Sequence, residues 1–591
     1  MSSRWLFARR TVGELHAESE RSGLRRALGP MDLVMMGVGA IIGAGIFGTI
    51  GQAAGAAGPA VVLSFLVTAF ACGLAGLCYA ELTSVVPISG SAYTYAYATL
   101  GQFVAWIIGW DLILEYAIGN VGVAISWADY AWALMKNVGI DFPLWLAKDP
   151  RYLTDPLSDP ATVAAIRASA PTIGGTVICF NLLAVSITVL ITILLVRGVR
   201  HSATLNNAIV LLKIGVLLFV IGVGIQYWDT SRWGLAPYDS EKFAPHGWTG
   251  IAKGAGLLFF SYIGFDAVST AAEESKKPAR DLPIGILGSL AICTVLYVLI
   301  GLVVTALVPI DDLTRGADPL NVAISATGKD WAKVVVSVGA TASMTAVLLV
   351  FQMGQPRILM SMSRDGLLPP FFARVSQRYG TPAVSTVLTG IVVCTFSAFA
   401  NIVEIVNLVN IGTLFAFVVV CIGTLVLRYK EPDLVRPFRV RGIWPVALGG
   451  VLTCTYLMTQ LGAENWSRLA LWLVVGLNAY FAYGFVRNTT DPVRRRALQR
   501  RANVVFALVL TGLAAFMLHG DEWLSAPAIR ASELAPGETL PAVIPTLWDK
   551  WVGFPPELAH GMAVFLGLCA LWNLASIPFG SRPQNRGPVA T

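Results

Sequence analysis

The hydrophobic positions along the chain gather into long unbroken blocks rather than alternating or forming narrow stripes. Fourteen apolar runs can be drawn, at 32–52, 59–83, 102–130, 176–196, 205–226, 250–271, 283–308, 331–355, 383–400, 403–427, 444–462, 469–486, 503–519 and 560–578. A helix rises about 1.5 Å per residue, so ~20 apolar residues cross the hydrocarbon core of a bilayer. The pattern predicts an all-α polytopic membrane protein with fourteen transmembrane helices. An even number puts both termini on one side. Three of the intervening polar segments are long, 136–175, 227–249 and 520–559. Each mixes Asp, Pro and Trp, which predicts ordered loops or short interfacial helices.

Composition agrees with the pattern. Hydrophobic residues make up 55% of the 591 positions and charged residues 13%, where a soluble chain carries about 25% charged. These charges are too few to cover the surface of a soluble protein of this size. Disorder, a collagen repeat and a disulfide scaffold are excluded on the same figures. The net charge of +7 would suggest a nucleic-acid partner in a soluble protein. Here its distribution argues for orientation instead. With the N-terminus set inside, about two thirds of the 42 Lys and Arg fall on inner segments. The expected location is therefore the cell membrane, multi-pass, with cytoplasmic N- and C-termini and the lipid bilayer as surroundings. No nucleic-acid partner is expected, and the polar, Arg-rich first thirty residues read as no cleavable signal.

Other chemistry is sparse. The eight cysteines fall inside apolar runs and form no C-x-x-C, so neither a disulfide nor a metal site is expected. The five histidines show no metal spacing and there is no Walker lysine motif. The expectation is a chain that is not an enzyme and carries no cofactor.

Two runs are interrupted. The first holds Gly37, Gly39, Gly43, Gly45 and Gly48 near mid-span, and the sixth holds Gly254, Gly256 and Gly264 with Asp266 beside the last. Glycine costs about 1 kcal/mol against alanine in a helix interior, so a cluster marks weakness or close packing. Gly39-x-x-x-Gly43 is also a small-residue helix-packing pattern. Two such spans five helices apart point further, because five is odd and a second five-helix unit enters with inverted orientation. Interrupted segments at matching places of two inverted halves mark a transporter's binding site. Freed amides at a half-helix start attract an anion, and freed carbonyls at a half-helix end attract a cation. A zwitterionic amino acid offers both. Its carboxylate is assigned to amides near Ile42, Gly43, Ala44 and Gly45, and its ammonium to carbonyls near Phe260, Ser261 and Ile263.

Several motifs now form a set: Leu28-Gly29-Pro30-Met31-Asp32, the Gly43-to-Phe47 break, Gly90-Ser91-Ala92-Tyr93 and Gly109-Trp110-Asp111-Leu112-Ile113-Leu114-Glu115-Tyr116. They continue with Phe260-to-Asp266, Glu273-Glu274 with Pro278, and Ser363-Arg364-Asp365-Gly366. With these the chain resembles the amino acid–polyamine–organocation superfamily, and within it the bacterial branch of the cationic amino acid transporter family. The resemblance covers most of residues 24–487. It implies a leucine-transporter-type five-plus-five inverted repeat plus four C-terminal helices. The division is then an N-terminal segment at 1–31, repeats at 32–226 and 250–427, added helices at 444–578 and a tail at 579–591.

A few charges remain inside the apolar runs. Lys213 sits near the middle of the fifth, in Ile209-Val210-Leu211-Leu212-Lys213-Ile214-Gly215-Val216-Leu217. A lysine there costs about 2.5–3.5 kcal/mol on insertion scales, and such groups are functional by default. It reads either as a structural cation on backbone carbonyls or as a proton site, because burial penalises the charged amine and lets small changes of environment exchange its proton. The resemblance sharpens the second reading, since proton-coupled relatives place a fifth-helix lysine amine where sodium-coupled relatives bind sodium. The expected contacts of Lys213 are carbonyls near Gly39 and Ile42. The coupling ion is then H+, and no Na+ site is expected.

Asp111 and Glu115 share a face of the third helix at i, i+4. Asp111 reads as a structural hydrogen-bonder, and Glu115 matches a family position near the substrate. Asp266 reads either as a helix cap or as a ligand contact. Phe265 matches the aromatic gate of family members, with ordinary packing as the alternative. Met344 falls where relatives set side-chain specificity, and a methionine there favours a neutral amino acid such as alanine, with an ordinary core or lipid-facing methionine as the alternative. Gln102 replaces a glutamate common in cationic members, although a cationic substrate stays open. Glu273, Glu274, Lys276 and Lys277 form a solvated loop at the inner end of the sixth span.

The function expected is secondary active amino acid transport by alternating access, with proton symport as the coupling. An exchanger of the same fold and an amino-acid-sensing receptor are the alternatives, and tails of about thirty and thirteen residues weigh against a receptor.

Overall fold

A computed structural model describes residues 26–484, apart from 87, 89, 154–157, 174–175, 199–202, 234–239 and 316–317, together with positions 13, 504, 507, 508 and 511. Two compact units are distinguished, residues 1–362 with 371–461 and residues 363–370 with 462–591. The first carries everything that follows, apart from the last helix.

Over the described residues the chain is helical almost throughout. In order the main helices are α1 (Pro30–Ile41), α2 (Ile50–Ala57), α3 (Val61–Val85), α4 (Ser91–Thr99), α5 (Gln102–Ile113), α6 (Gly119–Asn137), α7 (Pro160–Ser169), α8 (Leu182–Arg197), α9 (Ala203–Gly224) and α10 (Gly247–Leu258). They continue with α11 (Pro278–Leu307), α12 (Ile310–Arg315), α13 (Pro319–Ser325), α14 (Asp330–Arg364), α15 (Ala383–Phe399), α16 (Ile402–Lys430), α17 (Ile443–Thr459) and α18 (Ala463–Ala479). Over the described residues, each apolar run from 32–52 to 469–486 is mostly helix. The runs at 503–519 and 560–578, Cys569 and the 520–559 loop lie outside the described residues, isolated positions aside. Among the described residues, seven helical stretches are long and apolar enough to cross a membrane, with α8 and α15 as shorter apolar helices.

The edges differ from the sequence reading in one instructive place. The fourth run begins at 176, yet α8 starts at Leu182, with Asn181 Oδ1 capping it by accepting from Ala184 N at 3.0 Å. Thr176 and Val177 instead pair antiparallel with Thr172 and Ile173. Thr, Ile and Val serve a strand as well as an apolar helix, so hydrophobicity alone merges the two. Cys179 therefore lies in a loop, where its Sγ donates to Lys148 O at 3.1 Å. The seven described cysteines are free thiols.

The first span is three pieces. α1 ends at Ile41, a π-helical turn covers Gly45–Thr49, and α2 completes it. The sixth is likewise divided: α10 ends at Leu258, a 3-10 turn covers Phe259–Ser261, and a second 3-10 stretch covers Asp266–Glu274. α3 and α5–α6 pass without comparable loss of helix, although a π-turn at Leu114–Ile118 joins α5 to α6 around Glu115. Such turns open the helical hydrogen-bond ladder locally and recur at functional sites.

Candidate functional site: two facing helix breaks

The two breaks lie against each other. Gly45 has no room for a side chain because the Ser261 backbone occupies that place. Five residues earlier in the first span, Ala40 backs onto Gly264, where a Cβ would lie 3.0 Å from the Ala40 carbonyl carbon. Gly264 has φ +117°, a conformation that favours glycine. Residue number rises from 40 to 45 on one break while it falls from 264 to 261 on the other, so the two pass antiparallel.

Helix ends leave carbonyls without partners, and lipid offers none. The first break resolves this with side chains from far along the chain. Lys213 Nζ donates to Gly39 O at 2.6 Å and to Ile42 O at 3.0 Å. Tyr297 OH donates to Ile41 O at 2.9 Å, and Tyr130 OH to Phe47 O at 2.9 Å. Lys213 is fully buried on α9, and no carboxylate is paired with it among the described ion pairs. Ile42, Gly43, Ala44 and Gly45 are all buried in the opened stretch.

Around the breaks the wall is mostly apolar. From α14, Val347 comes closest to the first break, its Cγ2 2.8 Å from where a Gly43 Cβ would sit. Met344, one turn earlier, is fully buried. From α6, Gly122 leaves space for the Phe260 ring and Ile405, each 3.3 Å from its would-be Cβ, and Gly119 faces Phe351 at 3.4 Å. Ser126 Oγ stands 2.6 Å from the would-be Cβ of Gly48.

Phe265 is placed differently from Phe260. Its ring packs on Phe417 at 5.1 Å and Tyr79 at 5.8 Å, in a cluster that Phe259 joins through Phe417. Asp266 is the first residue of the second 3-10 stretch, and its Oδ2 accepts from Ser91 Oγ at 3.3 Å and Tyr116 OH at 3.4 Å. Glu115, next to Tyr116 in the chain, is buried. Ser91 has φ +50°, alone among the described non-glycine residues. Strain of this kind persists where the surroundings over-determine it. Asp111 is buried in the same region, with Oδ1 unpartnered and 2.9 Å from the would-be Cβ of Gly412.

The segment entering the first span is tied to the one leaving the sixth. Ala27 N and Leu28 N donate to Glu274 O at 2.9 and 3.0 Å, and Lys276 N donates to Leu28 O at 2.9 Å. At the other end of the break, α2 is covered by α12 and α13, with Gly51 against Leu313 and Pro319 and Gly55 against Thr314. The first span is thus packed at either end.

A helical membrane chain with two facing breaks is matched over residues 28–477 by the family model described as amino acid permease. The chain belongs to the amino acid permease family. It is 40% identical over 480 residues to the branched-chain amino acid permease BcaP of Bacillus subtilis (strain 168), covering 81% of this chain and 97% of that one. It is equally 40% identical over 479 residues to the methylthioribose transporter of the same organism, with the same coverage. Cationic amino acid transporter 4, vacuolar, of Arabidopsis thaliana is 37% identical over 412 residues, 69% of this chain and 64% of that one. The permease is therefore a membrane transporter for a small molecule of the amino acid class, not an enzyme, with bacterial permeases and cationic amino acid transporters among its relatives.

Sequence reasoning missed several residues of this permease that touch the breaks. Tyr130, Tyr297 and Asn410 lie in apolar helices without local distinction. Val347 was in reach of a periodicity argument, since it follows Met344 by three positions on one helix face.

Proposed function

We propose that the permease is a proton-coupled secondary transporter of a small neutral amino acid, working by alternating access. The observation that carries this reading is the pair of bonds from Lys213 Nζ to Gly39 O and Ile42 O. An ammonium at mid-span can hold the first span in one arrangement, and loss of its proton removes both the charge and a donor. The substrate's carboxylate takes amides in the stretch Ile42–Gly45, and its ammonium takes carbonyls from Phe260 to Ile263. Phe260, whose ring reaches Gly122 on α6, closes over it. Glu115 acts from the neighbouring carboxylate pair. Met344 and Val347 meet the side chain, and their apolar character favours alanine or a branched-chain substrate over a cationic one. BcaP's name adds branched-chain amino acids to the first substrates to test.

The architecture that goes with this reading is the fourteen-helix chain with a five-plus-five inverted repeat, resident in the cell membrane with both termini cytoplasmic. The antiparallel passage of the two breaks supports the inversion. No cofactor is required; H+ takes the place of Na+.

Purified permease in proteoliposomes, given an inward proton gradient and radiolabelled alanine or leucine, tests the proposal. Gradient-driven accumulation is expected. Equal exchange across the membrane without any response to the gradient would select an exchanger, and no uptake or binding of any of the twenty amino acids would overturn the reading.

A further inference from the structure

The C-terminal end of α10 is where the sixth span gives up its helix, and its last carbonyls need partners. Thr68 Oγ1 on α3 donates to Ala255 O at 2.9 Å. The next two are met by a single side chain from α16: Asn410 Nδ2 donates to Gly256 O at 2.8 Å and to Leu257 O at 3.2 Å. Asn410 is completely buried, and its Oδ1 has no hydrogen-bond partner. Two carbonyl acceptors fix which end of the amide faces them, because only the NH2 group can donate. The amide is thus spent on one side and open on the other.

The same face of α16 reaches across the break. Phe417 follows Asn410 by seven positions, two helical turns, and so shares its stripe. Its ring packs on Phe259 at 5.5 Å and Phe265 at 5.1 Å, before and after the break. One stripe of one helix therefore grips the end of α10 and the residues that follow it.

We propose that Asn410 is a positioning residue of the transport site: by holding Gly256 O and Leu257 O it sets where the helix stops, and so which later carbonyls face the substrate's amino group. This rests on the reading of the sixth-span break as the ammonium site. Asn410 consumes two carbonyls and leaves those from Leu258 onward for the ligand. Without it the free carbonyls of Gly256 and Leu257 compete for the same cation or draw the helix end out of register. Its effect should fall on recognition of the amine and leave the carboxylate end alone.

The test uses full-length permease and two probes, leucine and its deaminated analogue 4-methyl-2-oxopentanoate. Both keep the carboxylate and side chain, and only leucine has the ammonium. For Asn410→Leu, close in size but without donors, leucine KM should rise about tenfold or more, on the scale of one to two lost buried hydrogen bonds, while the concentration of the oxo acid needed to inhibit transport changes less than about twofold. Asn410→Ser, which keeps one donor, should recover part of the loss, and it carries the comparison if Asn410→Leu fails to assemble. A leucine KM within about twofold of wild type in a folded variant would overturn the proposal. An equal loss for both probes would overturn it too, since it would indicate general structural damage. A wild-type protein that binds no amino acid would instead refute the ammonium-site reading itself.

Discussion

Lys213 Nζ and the carbonyl oxygen of Gly39 lie 2.6 Å apart although 174 residues separate them in sequence. The bond joins a fully buried cation on α9 to the last turn of α1, and a second bond to Ile42 O lands just beyond the helix end. Replacement by alanine removes the charge and leaves two carbonyls without that donor. In proteoliposomes Lys213→Ala should abolish accumulation driven by a proton gradient while counterflow of preloaded amino acid persists at a reduced rate. Full gradient dependence in that variant would remove Lys213 from the coupling mechanism.

Gly45 is the second position with a sharp expectation. A Cβ there would collide with the Ser261 backbone, which has no flexible end to swing away. Gly45→Ala must therefore push the two breaks apart, at about 1–3 kcal/mol for an overpacked core. Substrate binding should be lost well before folding is. Binding measured by scintillation proximity, beside a melting curve on the same sample, separates the two. Wild-type affinity in Gly45→Ala would mean that the breaks can part without harm to the site.

The two breaks and the mid-span lysine were legible because they are linear signals: glycines clustered in an apolar run, and one cation where hydrophobicity is unrelieved. Their partners were not. Tyr297 reaches Ile41 across 256 residues and Asn410 reaches Gly256 across 154. Each sits in an apolar helix with neighbours like any others, and only three-dimensional packing singles it out. The placement of Phe265 shows the converse. Its position next to the break left a gate and ordinary packing both open, and the side chain turns to Tyr79 and Phe417, because sequence adjacency to a break does not determine which way a side chain leaves it. The strand pair of Thr172–Ile173 with Thr176–Val177 escaped notice for a third reason, since the apolar β-branched stretch at 176–177 extends a hydropathy block whatever structure it adopts.

Glu81 on α3 is almost wholly buried and bound on several sides. Arg428 Nε and Nη2 each donate to it at 2.7 Å, and Val440 N donates to its Oε2 at 2.9 Å. The pair ties α3 to the end of α16 and to the chain beyond. Arg436 Nε stands 3.5 Å from the same carboxylate, so Glu81 serves two guanidinium groups. Removing a shared buried partner leaves charge uncompensated, which costs about 3–5 kcal/mol. Glu81→Gln, which deprives both arginines, should lower the melting temperature of detergent-solubilised protein more than Arg428→Ala does, because Arg428→Ala leaves Glu81 with Arg436. If Glu81→Gln melts with wild type, this cluster is not holding these elements together.

Asp149 sits in the loop between α6 and α8, buried beside the ion pair of Lys148 with Asp129, whose Nζ–Oδ1 distance is 2.6 Å. Burial pushes its carboxyl up to about 6, against the opposing pull of Lys148 and of the hydrogen bond from Arg151 N. An unfolded aspartate titrates near 3.9, by about two units lower. The folded protein thus holds this proton more tightly than the unfolded chain. The stabilisation is complete below the unfolded value and is lost as the pH rises through about 6. Asp149→Asn cannot ionise, yet its side-chain oxygen can still accept from Arg151 N and Tyr152 N, as Asp149 Oδ1 does at 3.0 and 3.3 Å. The variant should therefore melt higher than wild type at pH 7.5 and close to it at pH 3.5, the gap opening between about pH 4 and 6. Melting curves of both proteins across that range decide the matter. A gap that stays constant with pH would mean that Asp149 ionises in the folded protein as it does in the unfolded chain.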